Sequence, residues 1–154
     1  MIKLTWEDVE ERLGELADKI KSSGFEADYL IGIANGGLIP LYFVARKLGN
    51  TENVLTVTIS SYDKDVQKDL RVLYLPNIDL AGKKILLIDE IAETGNTLKE
   101  VSRIFKEEYK VAELKTAAIG INTEKCKFNL DFYAFESKEF TIFPWEKDDF
   151  PEQF

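Results

Sequence analysis

Apolar runs alternate along the chain with amphipathic stretches, which is the pattern of an α/β protein. The run 85–88 is continuously apolar, as in a strand covered on both faces, two other runs are mainly apolar, and a fourth alternates and is rich in β-branched residues. The amphipathic stretches repeat at helical spacing. This order predicts a mostly parallel central sheet flanked by helices on both faces. The strands are predicted at 28–34, 53–60, 85–88 and 114–121, and the helices at 5–22, at about 40–48 and after 97.

Two regions depart from this simple alternation. The polar segment at about 60–72 separates the strand at 53–60 from a short strand at 71–75, so it predicts an exposed hairpin. Two short aromatic strands, 131–135 and 140–143, predict a small hood at about 122–148 over the sheet's edge. The rest shows no repeat or linker, so residues 1–154 are expected to form a single domain.

Most of the candidate functional residues follow the apolar run 85–88. Asp89 and Glu90 come first, and then the loop Glu93-Thr94-Gly95-Asn96-Thr97 opens a helix. Hydroxyls, a glycine and free N–H groups at a helix N-terminus suit a phosphate. Two carboxylates beside such a cradle need another partner, such as sugar hydroxyls or hydrated Mg²⁺. The stretch therefore predicts a phosphorylated sugar as the ligand.

A second glycine turn, Asn35-Gly36-Gly37, lies between the strand at 28–34 and the next helix. A strand, a glycine turn and a helix N-terminus can bind an anion, although an ordinary tight turn has the same pattern. Ligands of open parallel sheets bind beyond the carboxyl ends of the strands. Two such turns at neighbouring strands would suit a substrate phosphorylated at both ends.

Composition excludes several kinds of chemistry. The chain has no histidine and one cysteine, Cys126, which removes Ser-His and Cys-His catalysis, histidine metal sites and disulfides. The formal net charge of −8 argues against nucleic acid as a partner. No apolar run approaches a membrane span, and the acidic first residues do not resemble a signal peptide, so we expect a cytoplasmic protein without a membrane partner.

The stretch 85–98 resembles the signature of the type I phosphoribosyltransferases, in which a hydrophobic strand, two acidic residues and a further acidic residue precede Thr-Gly-x-Thr. The segment at 60–70, with Ser61-Tyr62 in front and Gln67-Lys68 behind, resembles the mobile loop of the small bacterial and archaeal xanthine-guanine and hypoxanthine phosphoribosyltransferases. The ending at 143–146, FPWE, is also similar to theirs. The resemblance implies the type I phosphoribosyltransferase fold, with a flexible lid hairpin and a C-terminal hood.

The resemblance also implies roles in transfer from 5-phosphoribosyl-1-diphosphate (PRPP). Asp89 and Glu90 would hold the ribose hydroxyls and Mg²⁺, with Asp89 reaching the metal directly or through water. Glu93 would handle the proton at the purine's N7, where the family more often has Asp. The loop that binds the 5′-phosphate would consist of Glu93, Thr94, Gly95, Asn96 and Thr97.

Other implied positions surround the diphosphate and the base. Asn35, Gly36, Gly37 and Lys68 would bind pyrophosphate, with Asn35 in the place where the family usually has Arg or Lys. Ser61 and Tyr62 would belong to a lid that excludes water. The base would meet Phe140, Thr141 and Lys125, although Phe140 also suits a core.

These features predict an oxopurine phosphoribosyltransferase, a homodimer or homotetramer, that uses Mg²⁺ and makes a nucleoside monophosphate and pyrophosphate in purine salvage. A non-catalytic sensor of PRPP or a nucleotide on the same fold remains an alternative, favoured by Asn35 and by the absence of a lysine at the spacing that the family uses for the base. A phosphatase or nucleotide-binding module sharing only the loop, and a pyrimidine-using transferase, also remain open.

Overall fold

The computed structural model describes residues 1–64 and 67–154, with only the backbone described at 61–64 and 67–69. The described elements form a mixed α/β domain with α-helices and short 3-10 turns around its strands. The strands are β1 Ile2–Lys3, β2 Tyr29–Ala34, β3 Val54–Lys64, β4 Gln67–Tyr74, β5 Lys84–Ala92, β6 Glu113–Asn122, β7 Phe132–Ser137 and β8 Thr141–Ile142. The helices are α1 Trp6–Ser23, α2 Leu38–Leu48 and α3 Asn96–Glu107, with 3-10 turns at Pro144–Glu146 and Pro151–Gln153.

Six strands form one sheet in the order β4-β3-β2-β5-β6-β7. Every neighbouring pair is parallel except β3 and β4, which form an antiparallel hairpin. The predicted mostly parallel sheet is therefore confirmed. β5 lies between β2 and β6, so the loops after β2 and β5 leave the same edge side by side.

The side chains of β5 alternate between two hydrophobic cores. Leu86 and Ile88 pack with α1 and α2, whereas Ile85 and Leu87 pack with α3. All four are fully buried. Helices therefore cover both faces, as predicted, and the strand period of two decides which face each β5 residue meets.

Helix α1 begins with a capping box between Thr5 and Asp8, and Gly24 ends it at φ 78°. Helix α2 begins at Leu38 rather than at the predicted Pro40, because a proline in the first turn loses no helical hydrogen bond. The helical spacing of the apolar residues of α1 predicts a core position for Trp6, but this prediction is wrong. Its side chain is 56% exposed and lies beside Trp145, with ring centroids 5.7 Å apart.

The hood differs from the predicted segment 122–148. β7 belongs to the main sheet, paired in parallel with β6, where Gly120 makes room for the ring of Phe135. The separate layer is the parallel pair of β1 and β8, followed by the turn Pro144–Glu146. The first strand of the chain therefore completes the hood, which the sequence pattern did not reveal.

The predicted hairpin at about 60–72 is present, but its strands are longer than expected. β3 continues to Lys64 rather than ending at residue 60, and β4 starts at Gln67 rather than at residue 71. The side chains of the lid candidates Ser61 and Tyr62 and of Lys68 lie outside the described residues. Among the described parts of the chain, no helix has the length and apolar character needed to cross a membrane.

Candidate active site

The candidate site lies at the carboxyl ends of β2 and β5, which pair in parallel with Gly32 opposite Ile88. The glycine turn 35–37 follows β2, and the phosphate-loop candidate 93–97 follows β5. β5 does not end at Ile88 as predicted, because its pairing with β6 continues to Ala92. Asp89 and Glu90 are therefore held on a paired strand, which fixes their backbone.

The period of the strand sends the two carboxylates to opposite faces of the sheet. Asp89 lies on the same face of the sheet as Ile85 and Leu87. Together with the loop 92–95 it lines a cavity of about 90 Å³. Glu90 lies on the same face as Leu86 and Ile88, and its carboxyl group lies against Gly36 of the glycine turn. Each loop therefore has its own carboxylate beside it.

Asp89 is half-buried, and the loss of solvation raises its pKa to about 7. The backbone N–H of Glu90 donates to Asp89 Oδ1 at 2.8 Å, which lowers the pKa, and the charge of Glu90 raises it. At neutral pH the carboxyl group is thus poised between its two forms. A sugar hydroxyl or a cation would favour the ionised form.

Glu90 accepts a hydrogen bond from the indole Nε1 of Trp145, with 2.9 Å between Nε1 and Oε2. Burial raises the pKa of Glu90, the bond from Trp145 lowers it, and the charge of Glu146 raises it. Trp145 is itself stacked on Phe143 at 4.7 Å between ring centroids. The hood thereby fixes the orientation of one active-site carboxylate, a role for Trp145 that the sequence reasoning missed.

The phosphate-loop candidate is shaped by Gly95, which has φ 84° and immediately precedes α3. A side chain there would also collide with Phe128. The Asn96 N–H donates to Thr94 Oγ1 at 3.3 Å, and the Lys127 N–H donates to the Thr94 carbonyl at 3.1 Å. A groove of about 460 Å³ lies between this loop and the base of the hairpin, and it is lined by Leu70, Val72, Glu93, Thr94, Asn96, Thr97 and Glu100.

The glycine turn packs closely against the backbone of strands β2 and β5. The peptide bond Ala34–Asn35 is cis, and a Cβ on Gly37 would lie 2.5 Å from the Ile33 carbonyl oxygen and 2.7 Å from that of Ile88. The Gly37 N–H donates to the Ile33 carbonyl at 2.8 Å. The turn itself carries no charged side chain, so it can offer an anion only N–H groups and the Asn35 amide.

Glu93 lies at the junction of the phosphate loop and the end of β6. Its Oε1 accepts a hydrogen bond from Asn122 Nδ2 at 3.0 Å and lies 3.5 Å from Lys125 Nζ. Two of the sequence-predicted residues, Glu93 and Lys125, are thus brought together. Asn122 was missed, although an amide that ends an otherwise apolar strand was a signal that could have found it.

The remaining base candidates lie in the hood. Phe140 is 43% exposed and meets Phe150 edge to face, with ring centroids 5.7 Å apart, so it is not a core residue. Thr141 is buried, and its hydroxyl has no hydrogen-bond partner among the described residues. Phe140 is therefore available for a flat ligand, whereas Thr141 presents no open side chain in this conformation.

The donor atoms around the site fit Mg²⁺ in type. Asp89 and Glu90 offer carboxylate oxygens, the ligands that this ion prefers. Within 1–64 and 67–154, apart from the undescribed side chains, no group of three or more acidic, cysteine or histidine residues could enclose a metal. Water and substrate oxygens would have to complete the shell, which is how Mg²⁺ usually binds with phosphates.

Comparisons with known proteins show what this chain is similar to. The family model described as a phosphoribosyl transferase domain matches residues 4–154. The hypoxanthine-guanine phosphoribosyltransferase of Aquifex aeolicus is 33% identical over 137 residues, which cover 84% of this chain and 76% of that protein.

Two solved structures have the same fold. The purine phosphoribosyltransferase from Pyrococcus horikoshii superposes with a TM-score of 0.81 at 27% identity, covering 94% of this chain and 92% of that one. The Helicobacter pylori xanthine-guanine-hypoxanthine phosphoribosyltransferase gives a TM-score of 0.84 at 22% identity, covering 99% and 97% of the two chains.

Proposed function

The chain belongs to the phosphoribosyltransferase family, and from that premise we propose that it transfers the 5-phosphoribosyl group of PRPP to an oxopurine. The products are a nucleoside monophosphate and pyrophosphate, and the reaction serves purine salvage. The proposal is supported by two anion-binding loops at adjacent strand ends, with a carboxylate beside each.

The observation that carries the choice of base is the pair Glu93 and Lys125, with 3.5 Å between Oε1 and Nζ. An oxopurine such as guanine has N7 and O6 side by side on one edge. A carboxylate can take the proton from N7 while the neighbouring ammonium donates to O6. Adenine has an amino group in place of O6, so the same lysine would face a donor. The pair therefore favours a 6-oxopurine.

The carboxylates of β5 act on the sugar. Asp89 and Glu90 hold the ribose hydroxyls, and their negative charge stabilises the positive charge that develops at the anomeric carbon as pyrophosphate leaves. Thr94, Gly95, Asn96 and Thr97 hold the 5′-phosphate with N–H and hydroxyl donors. When bound, Mg²⁺ neutralises charge on the leaving diphosphate.

The diphosphate end relies on the glycine turn and the lid. Asn35 and Gly36 offer N–H and amide donors to pyrophosphate, Gly37 lets the turn lie close against the strands, and Lys68 supplies a positive charge. Ser61 and Tyr62 close over the substrate and exclude water, which would otherwise hydrolyse the activated sugar. Phe140 stacks on the base. The assembly is a homodimer or homotetramer, as the family resemblance implies.

The test of function is pyrophosphate release with Mg²⁺, PRPP and, separately, guanine, xanthine, hypoxanthine, adenine and uracil. Turnover with at least one 6-oxopurine and none with adenine is expected. Turnover with adenine or uracil alone would refute the oxopurine assignment.

The second candidate function is a non-catalytic sensor of PRPP. It is favoured by Asn35, because this residue leaves the glycine turn without a charged side chain. Silence with all five bases, together with a higher melting temperature in the presence of PRPP, would establish the sensor.

The role of Glu93 is tested by Glu93→Gln, which keeps the size and removes the proton acceptor. The kcat is expected to fall about 100-fold or more, with little change in the KM for PRPP. Glu107→Gln, on the solvent face of α3 and paired with Arg103, is the matched control. An unchanged kcat in Glu93→Gln would contradict the assignment.

A further inference from the structure

Asn122 is the last residue of β6 and is fully buried. Its carboxamide makes three hydrogen bonds. Nδ2 donates to Glu93 Oε1 at 3.0 Å, and Oδ1 accepts from the backbone N–H groups of Glu124 and Lys125 at 3.1 and 3.0 Å. One side chain therefore contacts both the carboxylate and the turn that carries the lysine.

The partners of Asn122 define the orientation of its amide. A backbone N–H can only donate, so the two N–H groups of the turn require the oxygen of the amide on their side. The Nδ2 group must then face Glu93, whose ionised carboxylate can only accept. The reversed amide would set oxygen against oxygen and N–H against N–H. The arrangement is thus specific for asparagine rather than for a generic polar residue.

We propose that Asn122 is the positioning residue for Glu93 and Lys125 in the phosphoribosyl transfer, an inference that rests on the proposed function. Glutamate has three rotatable side-chain bonds, so a fixed position for its carboxylate needs an external anchor. The bond to Oε1 supplies that anchor and leaves Oε2 for the proton at N7. The same amide fixes the turn, so the lysine stays at the neighbouring position for O6.

Asn122→Asp separates this role from a merely structural one. Aspartate has the same shape, and its oxygen still accepts the two N–H groups of the turn, but the donor to Glu93 is replaced by a second carboxylate. The kcat is expected to fall about 10- to 100-fold, because the proton acceptor is displaced. The KM for PRPP should change by less than about 3-fold, because the sugar and phosphate contacts lie elsewhere.

Asn50→Asp is the matched control, since Asn50 is a half-buried asparagine whose Nδ2 also donates hydrogen bonds, in its case to the backbone carbonyls of Ala27 and Asp28. It is remote from the proposed machinery, so its kcat should equal that of the wild type. A fall in kcat for Asn122→Asp with the KM for PRPP maintained supports positioning. A wild-type kcat in Asn122→Asp, or an equal fall in Asn50→Asp, would overturn the proposal.

The double variant Asn122→Asp/Glu93→Gln tests the hydrogen bond without substrate. Donor and acceptor are exchanged, because the amide introduced at position 93 can donate to the carboxylate introduced at position 122. The melting temperature lost in Asn122→Asp should be largely recovered in the double variant, whereas its kcat should stay as low as that of Glu93→Gln. A melting temperature that falls by the sum of the two single changes would overturn the contact.

The two failures are distinguishable. If the wild type releases no pyrophosphate with any base, the proposed function fails and the kinetic role of Asn122 is overturned with it. Recovery of the melting temperature in the double variant would still establish that Asn122 holds Glu93, because that measurement needs no substrate.

Discussion

The glycine turn after β2 and the phosphate loop after β5 lie side by side, but they are built by different means. Gly37 is packed directly against backbone carbonyls of β2 and β5, so the glycine turn is shaped by the sheet itself. The phosphate loop is shaped by the positive φ of Gly95 and by hydrogen bonds at Thr94. The glycine turn is therefore shaped by the backbone of the neighbouring strands, whereas the phosphate loop is shaped by its own conformation, by its hydrogen bonds and by the close approach of Phe128.

The carboxylates beside the two loops differ in the same way. Glu90 touches Gly36 and is tied to the hood by Trp145, so its position depends on packing far along the chain. Asp89 accepts its hydrogen bond from the backbone N–H of the next residue, Glu90, and the largest influence on its pKa is burial. One carboxylate is thus oriented by tertiary contacts and the other is tuned by its surroundings. Each difference can be tested by substitution.

Gly37→Ala should have the largest effect. Its Cβ would lie 2.5 to 2.9 Å from backbone atoms of two strands, which cannot move aside without disturbing the sheet. We expect the free energy of unfolding to fall by about 3 kcal/mol or more, measured by urea denaturation. Gly14→Ala is the control, because nothing lies within 4 Å of its added Cβ and alanine favours a helix. Equal stability of the two variants would contradict the steric account.

Gly36→Ala sharpens the same comparison. The added methyl would meet only the flexible carboxyl end of Glu90, which can shift. Stability should change less than in Gly37→Ala, while the affinity for PRPP with Mg²⁺ should fall about 10-fold, measured by calorimetry. A larger loss of stability than in Gly37→Ala would remove the distinction between a structural and a functional glycine within one turn.

Asp89→Asn should change the pH dependence of stability. Folded Asp89 keeps its proton up to about pH 7, whereas the unfolded chain releases it near its ordinary pKa of 3.8. This contribution is therefore fully present below that ordinary value and is lost as the pH rises through about 7. Between about pH 5 and about pH 6.5 the wild type should lose about 2 kcal/mol more than Asp89→Asn. Parallel curves of unfolding free energy for the two proteins would contradict the raised pKa.

Trp145→Phe should have the smallest effect. The ring can remain stacked on Phe143, but the donor to Glu90 is lost. We expect PRPP to bind about 5-fold more weakly, a loss of about 1 kcal/mol, which is the net contribution of a typical hydrogen bond. Trp6→Phe, on the exposed neighbour of Trp145, is the control and should bind PRPP as the wild type does. The same loss in both variants would attribute the effect to aromatic packing instead.

Local sequence was sufficient for most of the fold. Each of these elements can be recognised from its own residues, because the apolar runs of β2, β5 and β6 and the helical spacing of α1 and α3 mark the faces that they bury. The predicted type I phosphoribosyltransferase fold is confirmed. The predicted hood included too many residues, because β7 is short and aromatic, as a strand of a separate layer would be. Only its pairing with β6 reveals that it belongs to the main sheet.

For the candidate site, the sequence offered candidate residues but not their orientation, and their roles stay predictions. Asp89, Glu90 and Glu93 were identifiable from their place after a buried strand. The hydrogen bonds that Trp145 and Asn122 make to these carboxylates were not, because they join positions 55 and 29 residues apart. Such contacts depend on tertiary packing, which no short pattern of residues records.

The pairing of β1 with β8 has a consequence for how the protein is made. Ile2 pairs with Thr141, a residue far away along the sequence. Closing such a long loop has a large entropic cost, so this contact should form late in folding. On the ribosome, the glycine turn and the phosphate-loop candidate emerge before the hood that orients Glu90. A nascent chain can therefore form this edge of the sheet first, and Glu90 is oriented by Trp145 only after the hood has folded onto β1.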